Sequence, residues 1–348
     1  MVPQARRRRV EVAAQPRRLS RYNRALKLAI IGYGNVGRAL ARLLRQKRRE
    51  FPFTITGIHT LRHGTAVDPA GLPDDPPLGS RAATIEEFLE AARADIAVEL
   101  TTLNPSDGEP AISHIRAAFR RGMHVVTANK GPIAHACAEL REEAARAGVG
   151  LRFESAVMDG APVFNLWRHT MPGVKVLGFT GALNSTSKVV IETMERGGSF
   201  EEGLAEARAL GITEADGAFD IEGWDSAAKT AALANALMDA HTTPQQVATR
   251  GITRLTPERL QEMARQGKTV RLISRARRSG SRLSLRVRAE VLDRSDILAA
   301  APGTSNVILF HTDLMGTFGT VSIEPGVEQT AYGVFSDLVD VSGLNRPA

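Results

Sequence analysis

Several carboxylates and a single lysine lie close together between residues 211 and 229, where a loop runs into an alanine-rich helix. Asp225 and Lys229 are four residues apart, so a helix places both side chains on one face. The residues from Thr230 to Met238 carry no charge, which predicts a helix buried over most of its circumference. A lysine beside such a helix needs a carboxylate partner or a chemical task. An ordinary surface ion pair has the same spacing and stays the alternative.

Other polar side chains follow two predicted strands of the first half of the chain. Lys130 comes just after the apolar run from Met123 to Thr127, and Thr101 and Thr102 follow the run from Asp95 to Leu100. Open α/β sheets bind ligands at the carboxyl ends of their strands. We therefore predict that these three residues face a ligand, although an isolated loop lysine is often only a solvated charge.

A glycine-rich turn connects the first predicted strand, Lys27 to Ile31, with a helix in which leucines recur at helical spacing. Its sequence is Gly32-Tyr-Gly34-Asn35-Val36-Gly37. Gly32 suits the tight turn, Gly34 the close approach of a pyrophosphate, and Gly37 the packing of helix on strand. Between a strand and a helix, this pattern predicts dinucleotide binding by Gly32, Gly34, Asn35, Val36 and Gly37, with the phosphates at the helix N-terminus.

The end of the second predicted strand, Phe53 to His59, indicates which dinucleotide is bound. An acid there would bind the ribose 2′-hydroxyl, but Arg62 follows and no acid occurs before Asp68. An arginine favours a 2′-phosphate, so we predict NADP rather than NAD. The alternative is that Arg62 points into solvent.

The composition limits the class of protein. With 348 residues, 43% of them hydrophobic, the chain can form two domains. No apolar run reaches about 18 residues, so we expect no membrane span. The lone Cys137 leaves no disulfide within the chain and suits a reducing, cytoplasmic location.

The net charge of +7 comes from the first 24 residues, which hold eight arginines and one glutamate. Because the rest of the chain is neutral overall, we expect no specific nucleic-acid partner.

The order of predicted elements indicates an α/β protein. Strands and helices alternate up to residue 154, with a loop over 64–83, and a mixed pattern follows. Two arginine-rich alternating runs, 268–278 and 282–292, indicate neighbouring antiparallel strands. We predict a Rossmann-type dinucleotide-binding domain with a second α+β domain for substrate binding and dimerisation. The predicted ranges are a disordered tail (1–26), the dinucleotide-binding domain (27–154 and 318–348) and the second domain (155–317).

From Lys27 to Val341 the chain resembles the homoserine dehydrogenase family. The resemblance is carried by the following motifs: Gly32 to Gly37, Val98-Glu-Leu-Thr101, residues 122–131, Gly181-Ala-Leu-Asn-Ser-Thr186, residues 211–229 and the closing residues 329–338. It implies NAD- or NADP-dependent interconversion of L-homoserine and L-aspartate 4-semialdehyde by hydride transfer. It also implies a homodimer formed through sheets of the second domain.

The same resemblance assigns roles to particular residues. It implies that Lys229 holds the reacting oxygen or a water beside it, that Asp225 orients Lys229, and that Lys130 is the second candidate for general acid/base, without ranking the two lysines. Glu214 and Asp220 match positions that bind the substrate's amino group. Lys130, or backbone donors, would then meet the substrate's carboxylate.

Two segments depart from the family pattern. Family members bind a monovalent cation, usually sodium, chiefly through backbone carbonyls of the turn that matches Glu154, Val157, Asp159 and Ala161. Here Met158-Asp159-Gly160-Ala161 replaces the expected glycine-rich run. Asp216-Gly217 replaces an Asp-Pro pair, which we expect to alter turn rigidity only. Because the chain ends near the last family helix, we expect neither a C-terminal regulatory domain nor allosteric inhibition by threonine.

Two other functions are compatible with these residues. One is a related two-domain dehydrogenase acting on another amino acid or semialdehyde. The other is a nucleotide-sensing protein without turnover, for which a missing lysine or acid would be the signature. Lys130, Glu214, Asp220, Asp225 and Lys229 are all present, which favours an enzyme.

Overall fold

Two six-stranded sheets form the core of a computed structural model that describes residues 25–213 and 217–344. The predicted tail lies almost entirely outside these ranges, and so does Glu214. The strands are β1 (Leu26–Ile31), β2 (Phe53–Thr60), β3 (Gly64–Val67), β4 (Ile96–Glu99), β5 (His124–Thr127), β6 (Leu151–Arg152), β7 (Val176–Ala182), β8 (Ala248–Thr249), β9 (Lys268–Ser279), β10 (Arg282–Asp293), β11 (Asn306–Thr312) and β12 (Thr317–Ser322).

Helices cover the faces of both sheets and join them. They are α1 (Asn35–Lys47), α2 (Ile85–Ala92), α3 (Ala111–Arg120), α4 (Lys130–Arg146), α5 (Ser155–Met158), α6 (Phe164–Thr170), α7 (Ser185–Glu195), α8 (Phe200–Ala209), α9 (Ala218–Ile221), α10 (Trp224–Met238), α11 (Pro257–Arg265), α12 (Ile297–Ala300) and α13 (Val327–Val341). Within the described ranges, none of these helices combines the length and apolar character needed to span a bilayer.

The first sheet has the strand order β3-β2-β1-β4-β5-β6, and β2, β1, β4, β5 and β6 are parallel. Leu40 of α1 and Leu338 of α13 pack in one buried cluster with Leu28 and Ile30 of β1. Successive strands are added outward on one side of β1 as far as β3 and on its other side from β4, and this switch of strand order between β1 and β4 creates the crevice where such sheets bind nucleotides. The α/β fold class and the dinucleotide-binding sheet predicted from the sequence are confirmed.

The second sheet has the order β12-β11-β7-β9-β10-β8 and is antiparallel except for the short β8, which runs parallel to β10. Val270, Leu272 and Ala276 of β9 belong to the same buried cluster as Ala231 of α10. The two arginine-rich runs are neighbouring antiparallel strands, as predicted. Helix α10 packs both on this sheet and on α4, and so connects the two halves of the protein.

Two predictions about segments are wrong. Residues 64–67, predicted as loop, form β3 and pair antiparallel with β2, because a three-residue turn folds the chain back onto that strand. The predicted domain boundary at residue 318 cuts β12, which pairs with β11 in the second sheet. The chain therefore returns to the first sheet only with α13. Both strands are short, and their residue types do not indicate which sheet they join.

Candidate active site

The first turns of α10 bring the predicted Asp225 and Lys229 into direct contact. Lys229 Nζ lies 3.0 Å from Asp225 Oδ2 and donates to the carbonyl oxygen of Leu183 at 2.6 Å. The side chains are only 15% and 11% exposed, respectively, so this is a buried pair and not a surface ion pair. Its two charges are desolvated, which makes each dependent on the other.

Lys130 reaches the same carboxylate from the other half of the protein. It is the first residue of α4, whose N-terminus is capped by the Asn129 side chain, and its Nζ lies 3.3 Å from Asp225 Oδ1. One buried carboxylate is thus shared by two lysines that are distant in the sequence. We name Lys130, Asn184, Asp220, Asp225 and Lys229 the lysine–carboxylate cluster.

The charges within this cluster shift one another's titration. Burial opposes ionisation of Asp225, but Lys229 and Lys130 outweigh it and hold the pKa of Asp225 well below its usual range. Burial likewise works to lower the pKa of Lys229, but the charge of Asp225 outweighs it, so that this pKa is raised. Asp225 is therefore a carboxylate and Lys229 an ammonium group near neutral pH.

Asn184 was not singled out from the sequence, yet its side chain joins two of the acids. It caps the N-terminus of α7 by accepting from the Ser187 N–H, and its Nδ2 donates to Asp220 at 2.7 Å and to Asp225 at 3.1 Å. Asn184 lies within the Gly181–Thr186 motif. An asparagine directly before a predicted helix is a typical N-cap, and that signal indicated its position but not its contacts.

Asp220, predicted to bind the substrate, is held by three donors. Its Oδ1 accepts from Asn184, and its Oδ2 accepts at 3.0 Å from the hydroxyls of both Thr186 and Thr213. Burial, and then the charge of Asp225, raise the pKa of Asp220. Since a carboxylate offers about four acceptor positions, Asp220 still has capacity for an ammonium group.

Glu214 and Asp216 lie outside the described residues. Gly217, which follows them, has a φ of +56° in the left-handed region. Proline is fixed near a φ of about −65° and cannot adopt this conformation. A proline at position 217 would therefore not fit this turn, and the effect of the Asp-Gly pair on turn rigidity stays a prediction.

The predicted cofactor residues lie at the carboxyl edge of the first sheet. We name residues 32–37, Arg62, Thr101 and Thr102 the nucleotide edge. Gly32 has a φ of +94°, and a Cβ there would meet the Leu100 carbonyl oxygen at 2.6 Å. At Gly34 a Cβ would meet nothing within 4 Å, and no side chain caps the α1 N-terminus that begins at Asn35. The open backbone and uncapped N–H groups of Asn35, Val36 and Gly37 fit a pyrophosphate.

Thr101 and Thr102 follow β4 at the crevice. The Thr101 hydroxyl and N–H donate to the buried Glu99, whose other oxygen accepts from Thr127 at 2.9 Å. Asn129 Nδ2 donates to the Thr101 carbonyl oxygen at 3.1 Å. This network ties the loop after β4 to the N-terminus of α4 and so to Lys130. The roles of Glu99, Thr127 and Asn129 were not predicted, because their contacts join separate strands.

Arg62 lies in the exposed turn between β2 and β3. The turn is fixed by Thr60, whose hydroxyl donates to the Gly64 carbonyl oxygen and accepts from the His63 N–H. This places Arg62 at the end of β2 where a 2′-phosphate would lie in a dinucleotide fold. Its contact with a nucleotide stays a prediction.

The turn predicted to bind a cation connects the two halves of the protein. The Glu154 carboxylate accepts from the backbone N–H groups of Val163, Phe164 and Asn165, and therefore caps α6. Val157 lies in the single turn of α5. Among the residues described by the structure, no group of three or more histidine, cysteine or acidic side chains is placed to hold a metal ion. A cation here would therefore need backbone oxygens.

The remaining cation candidates, Asp159 and Ala161, follow α5. Asp159 has a φ of +57°, and its carboxylate accepts from the Thr330 hydroxyl of α13 at 3.2 Å. The Ala161 N–H donates to the Met158 carbonyl oxygen at 3.0 Å. Asp159 is half-buried; burial raises its pKa, while the charge of Lys229 works to lower it. The side chain is thus part of the electrostatic surroundings of the lysines.

Comparison with known proteins places this geometry in a family. A family model described as homoserine dehydrogenase matches residues 162–339, and one described as homoserine dehydrogenase, NAD binding domain, matches residues 32–154. A protein of Pseudomonas canavaninivorans named NAD(+)-dependent homoserine dehydrogenase is 36% identical over 336 residues, which cover 90% of this chain and 96% of that protein.

Solved structures agree with these matches. The homoserine dehydrogenase of Thermoplasma acidophilum superposes with a TM-score of 0.81 at 25% identity, covering 92% of this chain and 100% of that one. A hyperthermophilic archaeal homoserine dehydrogenase in complex with NADPH gives a TM-score of 0.78 at 25% identity, with coverage of 93% and 99%. The chain therefore belongs to the homoserine dehydrogenase family and is an NAD(P)-dependent oxidoreductase that acts on a CH–OH group.

Proposed function

We propose that the lysine–carboxylate cluster carries the proton chemistry of homoserine oxidation and semialdehyde reduction. The observation that supports this is the sharing of one buried carboxylate, Asp225, by Lys130 and Lys229. Hydride passes between the terminal carbon of the substrate and the nicotinamide ring, while a proton joins or leaves the oxygen. Lys229 holds that oxygen, and Asp225 fixes the lysine's position and charge.

The charge state of Lys229 suits the reductive direction. A protonated lysine donates a hydrogen bond to the aldehyde oxygen and stabilises the alkoxide charge as hydride arrives. In the oxidative direction the same nitrogen must be neutral to accept the proton of the hydroxyl group. Because Asp225 raises the pKa of Lys229, oxidation is favoured at alkaline pH. Lys130 is the alternative acid/base, since it touches the same carboxylate.

Asp220 supplies negative charge for the amino group of the substrate. Its carboxylate lies beside the lysines and keeps acceptor capacity after its contacts with Asn184, Thr186 and Thr213. Glu214, which lies outside the described residues, is proposed as the second acid for this amino group. Lys130 or uncapped backbone N–H groups meet the substrate's carboxylate.

A single assay series tests these roles. Reduction of NADP or NAD by L-homoserine is followed for the native protein, Lys229→Ala and Lys130→Ala, with nucleotide binding measured separately. We expect turnover to fall by about 10³-fold or more in the variant that lacks the principal acid/base, with nucleotide affinity unchanged. Wild-type turnover in both variants would contradict the proposal.

The nucleotide edge takes NADP in preference to NAD in this proposal. Arg62 provides the positive charge for the 2′-phosphate, and the turn around it contains no acid. When bound, the cofactor supplies or accepts the hydride. The chain's own contribution is the open backbone at Gly34 and the α1 N-terminus that receive the pyrophosphate.

A monovalent cation such as sodium is proposed at the turn formed by Glu154, Val157, Asp159 and Ala161. Since the Glu154 carboxylate already accepts three N–H groups, the ligands are carbonyl oxygens. The assay above, repeated in sodium chloride and in choline chloride at equal ionic strength, tests the site. Equal rates in both salts would contradict it.

Dimerisation is proposed through the face of the second sheet opposite α10. Strand pairing places Arg275, Thr180 and Leu309 in one row across this face, next to a row that ends at Val321. Arg275 donates to Thr180 and Glu290, while its buried Nε finds no acceptor among the described residues. Apolar groups mixed with arginine are typical of the centre of a protein interface.

Two matched variants test the dimer. Val321, 43% exposed, lies on this face, while Val291, 48% exposed, lies on the opposite face of the same sheet. We expect Val321→Glu to produce monomers in light scattering coupled to gel filtration, because it buries a charge at the interface. Val291→Glu should leave the mass unchanged. A monomeric wild type, or equal masses for both variants, would contradict the interface.

A further inference from the structure

The two helices that carry the catalytic lysines cross and pack against each other. Lys130 begins α4, and Asp225 and Lys229 lie in the first two turns of α10. Near the far end of α10, Asn235 contacts Ile133 and Ala134, in the first turns of α4. The crossing therefore lies about one helical turn from Lys130, which is a rise of roughly 5 Å.

Every polar group of the Asn235 side chain is used at this crossing. The two hydrogens of its Nδ2 are shared among three carbonyl oxygens, those of Ile133 at 3.2 Å, Ala134 at 3.1 Å and Thr242 at 2.9 Å. Its Oδ1 accepts from the Thr242 N–H at 2.9 Å, which fixes the orientation of the amide. The residue is 8% exposed, so these contacts are shielded from water.

The acceptors on α4 lie directly before an interruption of that helix. Ala136 has a φ of −143° and a ψ of 29°, which are not helical values. Kinks of this kind mark places where the regular hydrogen-bond ladder of a helix is disturbed. Asn235 donates to two carbonyl oxygens of this segment from the other half of the protein. The kink and the asparagine thus form one device at the crossing.

We infer that Asn235 is a positioning residue for the reaction, which sets the distance between Lys130 and Asp225 by fixing where α4 crosses α10. The inference rests on the proposed role of Lys130. The crossing lies roughly 5 Å from Lys130 along α4, so a change of about 10° in the crossing angle would move the start of α4 by about 1 Å. A misplacement of that size in a reacting group costs on the order of 10²-fold in rate.

The test compares variants at two points of the same helix contact. Asn235→Ser keeps one donor and folds more readily than Asn235→Asp, which sets a carboxylate against two carbonyl oxygens. Arg141→Met is the matched control, because Arg141 Nη2 donates to the Ala236 carbonyl oxygen at 3.1 Å from the segment of α4 beyond the kink. Melting temperature, kcat, KM for L-homoserine and the pH profile of kcat are measured for each variant.

We expect Asn235→Ser to lower kcat by about 10-fold to 100-fold and to shift the pH profile, with nucleotide affinity unchanged. Arg141→Met should lower the melting temperature by a similar amount while kcat stays within twofold of wild type. If Asn235→Ser lowers only the melting temperature, Asn235 is a structural residue and the inference is overturned.

A double-mutant cycle separates this inference from the proposed role of Lys130. In the Lys130→Ala background, Asn235→Ser should have almost no further effect on kcat, since it acts through Lys130. If Lys130→Ala itself retains full activity, the proposed role of Lys130 fails. If Lys130→Ala is impaired but Asn235→Ser costs the same factor in both backgrounds, only the positioning inference fails.

Discussion

The nucleotide edge and the lysine–carboxylate cluster are linked through Asn129 and Lys130, but different parts of the chain form them. At the nucleotide edge the main chain makes the site: Gly34 faces open space and the α1 N-terminus has no side-chain cap. In the cluster, the side chains form the site, and Asp225 contacts three of them: Asn184, Lys130 and Lys229. The glycine turn of the nucleotide edge depends on backbone groups that no side chain covers. The cluster depends on the contacts that its side chains make with one another.

This difference predicts different responses to substitution. A main-chain site loses affinity when a side chain is added and is otherwise indifferent to residue type. A coupled cluster loses function when any member is exchanged, because each remaining charge is left without its partner. Substitutions in the cluster should therefore change turnover and stability together, whereas those at the edge should change nucleotide affinity, with a loss of stability only where an added side chain meets strained backbone, as at Gly32.

The largest effect is expected for Asp225→Asn. The amide has nearly the same shape but leaves two buried lysines without their shared charge. We expect kcat to fall by about 10³-fold and the free energy of unfolding by about 3–5 kcal/mol, the usual cost of breaking a buried ion pair. Assays and urea unfolding measure both quantities. Dissociation constants for the nucleotide should stay within about twofold, since the nucleotide edge does not contact this residue.

A control for this variant lies in the same helix. Asp239 ends α10 with a φ of 49°, a conformation that asparagine tolerates, and it is exposed. Asp239→Asn should leave turnover and stability close to wild type. If Asp225→Asn weakened nucleotide binding as strongly as it lowered kcat, the two sites would not be separate.

The pH dependence of stability should show that Asp225 is stabilised as a carboxylate in the folded protein. The pKa of Asp225 is depressed in the folded protein, so the native state binds fewer protons than the unfolded state. Its contribution is complete above the unfolded pKa of about 4 and is lost as pH falls through the folded pKa. The stability difference between wild type and Asp225→Asn should therefore shrink below about pH 4, by at most about 1.4 kcal/mol per pH unit.

The contribution of Lys229 to stability should have the opposite pH dependence and be lost at alkaline pH. Its pKa is raised on folding, so its contribution is complete below the unfolded pKa of about 10.4 and is lost as pH rises through the folded pKa. Urea unfolding at a series of pH values from acid to alkaline measures both contributions. A stability difference that stays constant across the acid range would show that Asp225 is not held by the lysines.

The sequence was sufficient to predict the glycine turn between β1 and α1 because the constraints on this turn are local. A turn that needs Gly32 in the left-handed region and a bare backbone at Gly34 leaves its signature within six residues. The pairing of Asp225 with Lys229 is also local, since one helical turn separates them. Lys130 could be placed at a strand end, but its contact with Asp225 depends on how α4 crosses α10.

Contacts between residues in different helices and strands are not indicated by any local pattern in the sequence. Asn184 and Asn235 are ordinary residue types at ordinary helical positions, and their partners lie in other elements. For β12 the alternation was visible, but the edge strand it forms could have joined either sheet. Residues that join elements are identified by packing, and packing is not encoded in a short window of sequence.

Substitutions at the two glycines should separate stability from affinity at the nucleotide edge. Gly34→Ala fits its surroundings, so the melting temperature should stay unchanged while nucleotide binding weakens roughly tenfold, the size of one lost charge-assisted hydrogen bond. Gly32→Ala meets main-chain atoms and needs a φ of +94°, so it should cost about 1–3 kcal/mol of stability. Fluorescence titration and thermal unfolding distinguish the two. Normal affinity in Gly34→Ala would place the pyrophosphate elsewhere.

The smallest effect is expected for Arg62→Ala, because an exposed charge is screened by water and salt. We expect the dissociation constant for NADPH to rise about threefold to fivefold and that for NADH to stay unchanged, since only the former carries the 2′-phosphate. Arg146→Ala is the control, because Arg146 is exposed on the last turn of α4, away from the nucleotide edge. Raising the salt concentration should narrow the difference between wild type and Arg62→Ala for NADPH. An equal change for both nucleotides would mean that Arg62 does not read the 2′-position, and cofactor choice would then depend on the main chain around it.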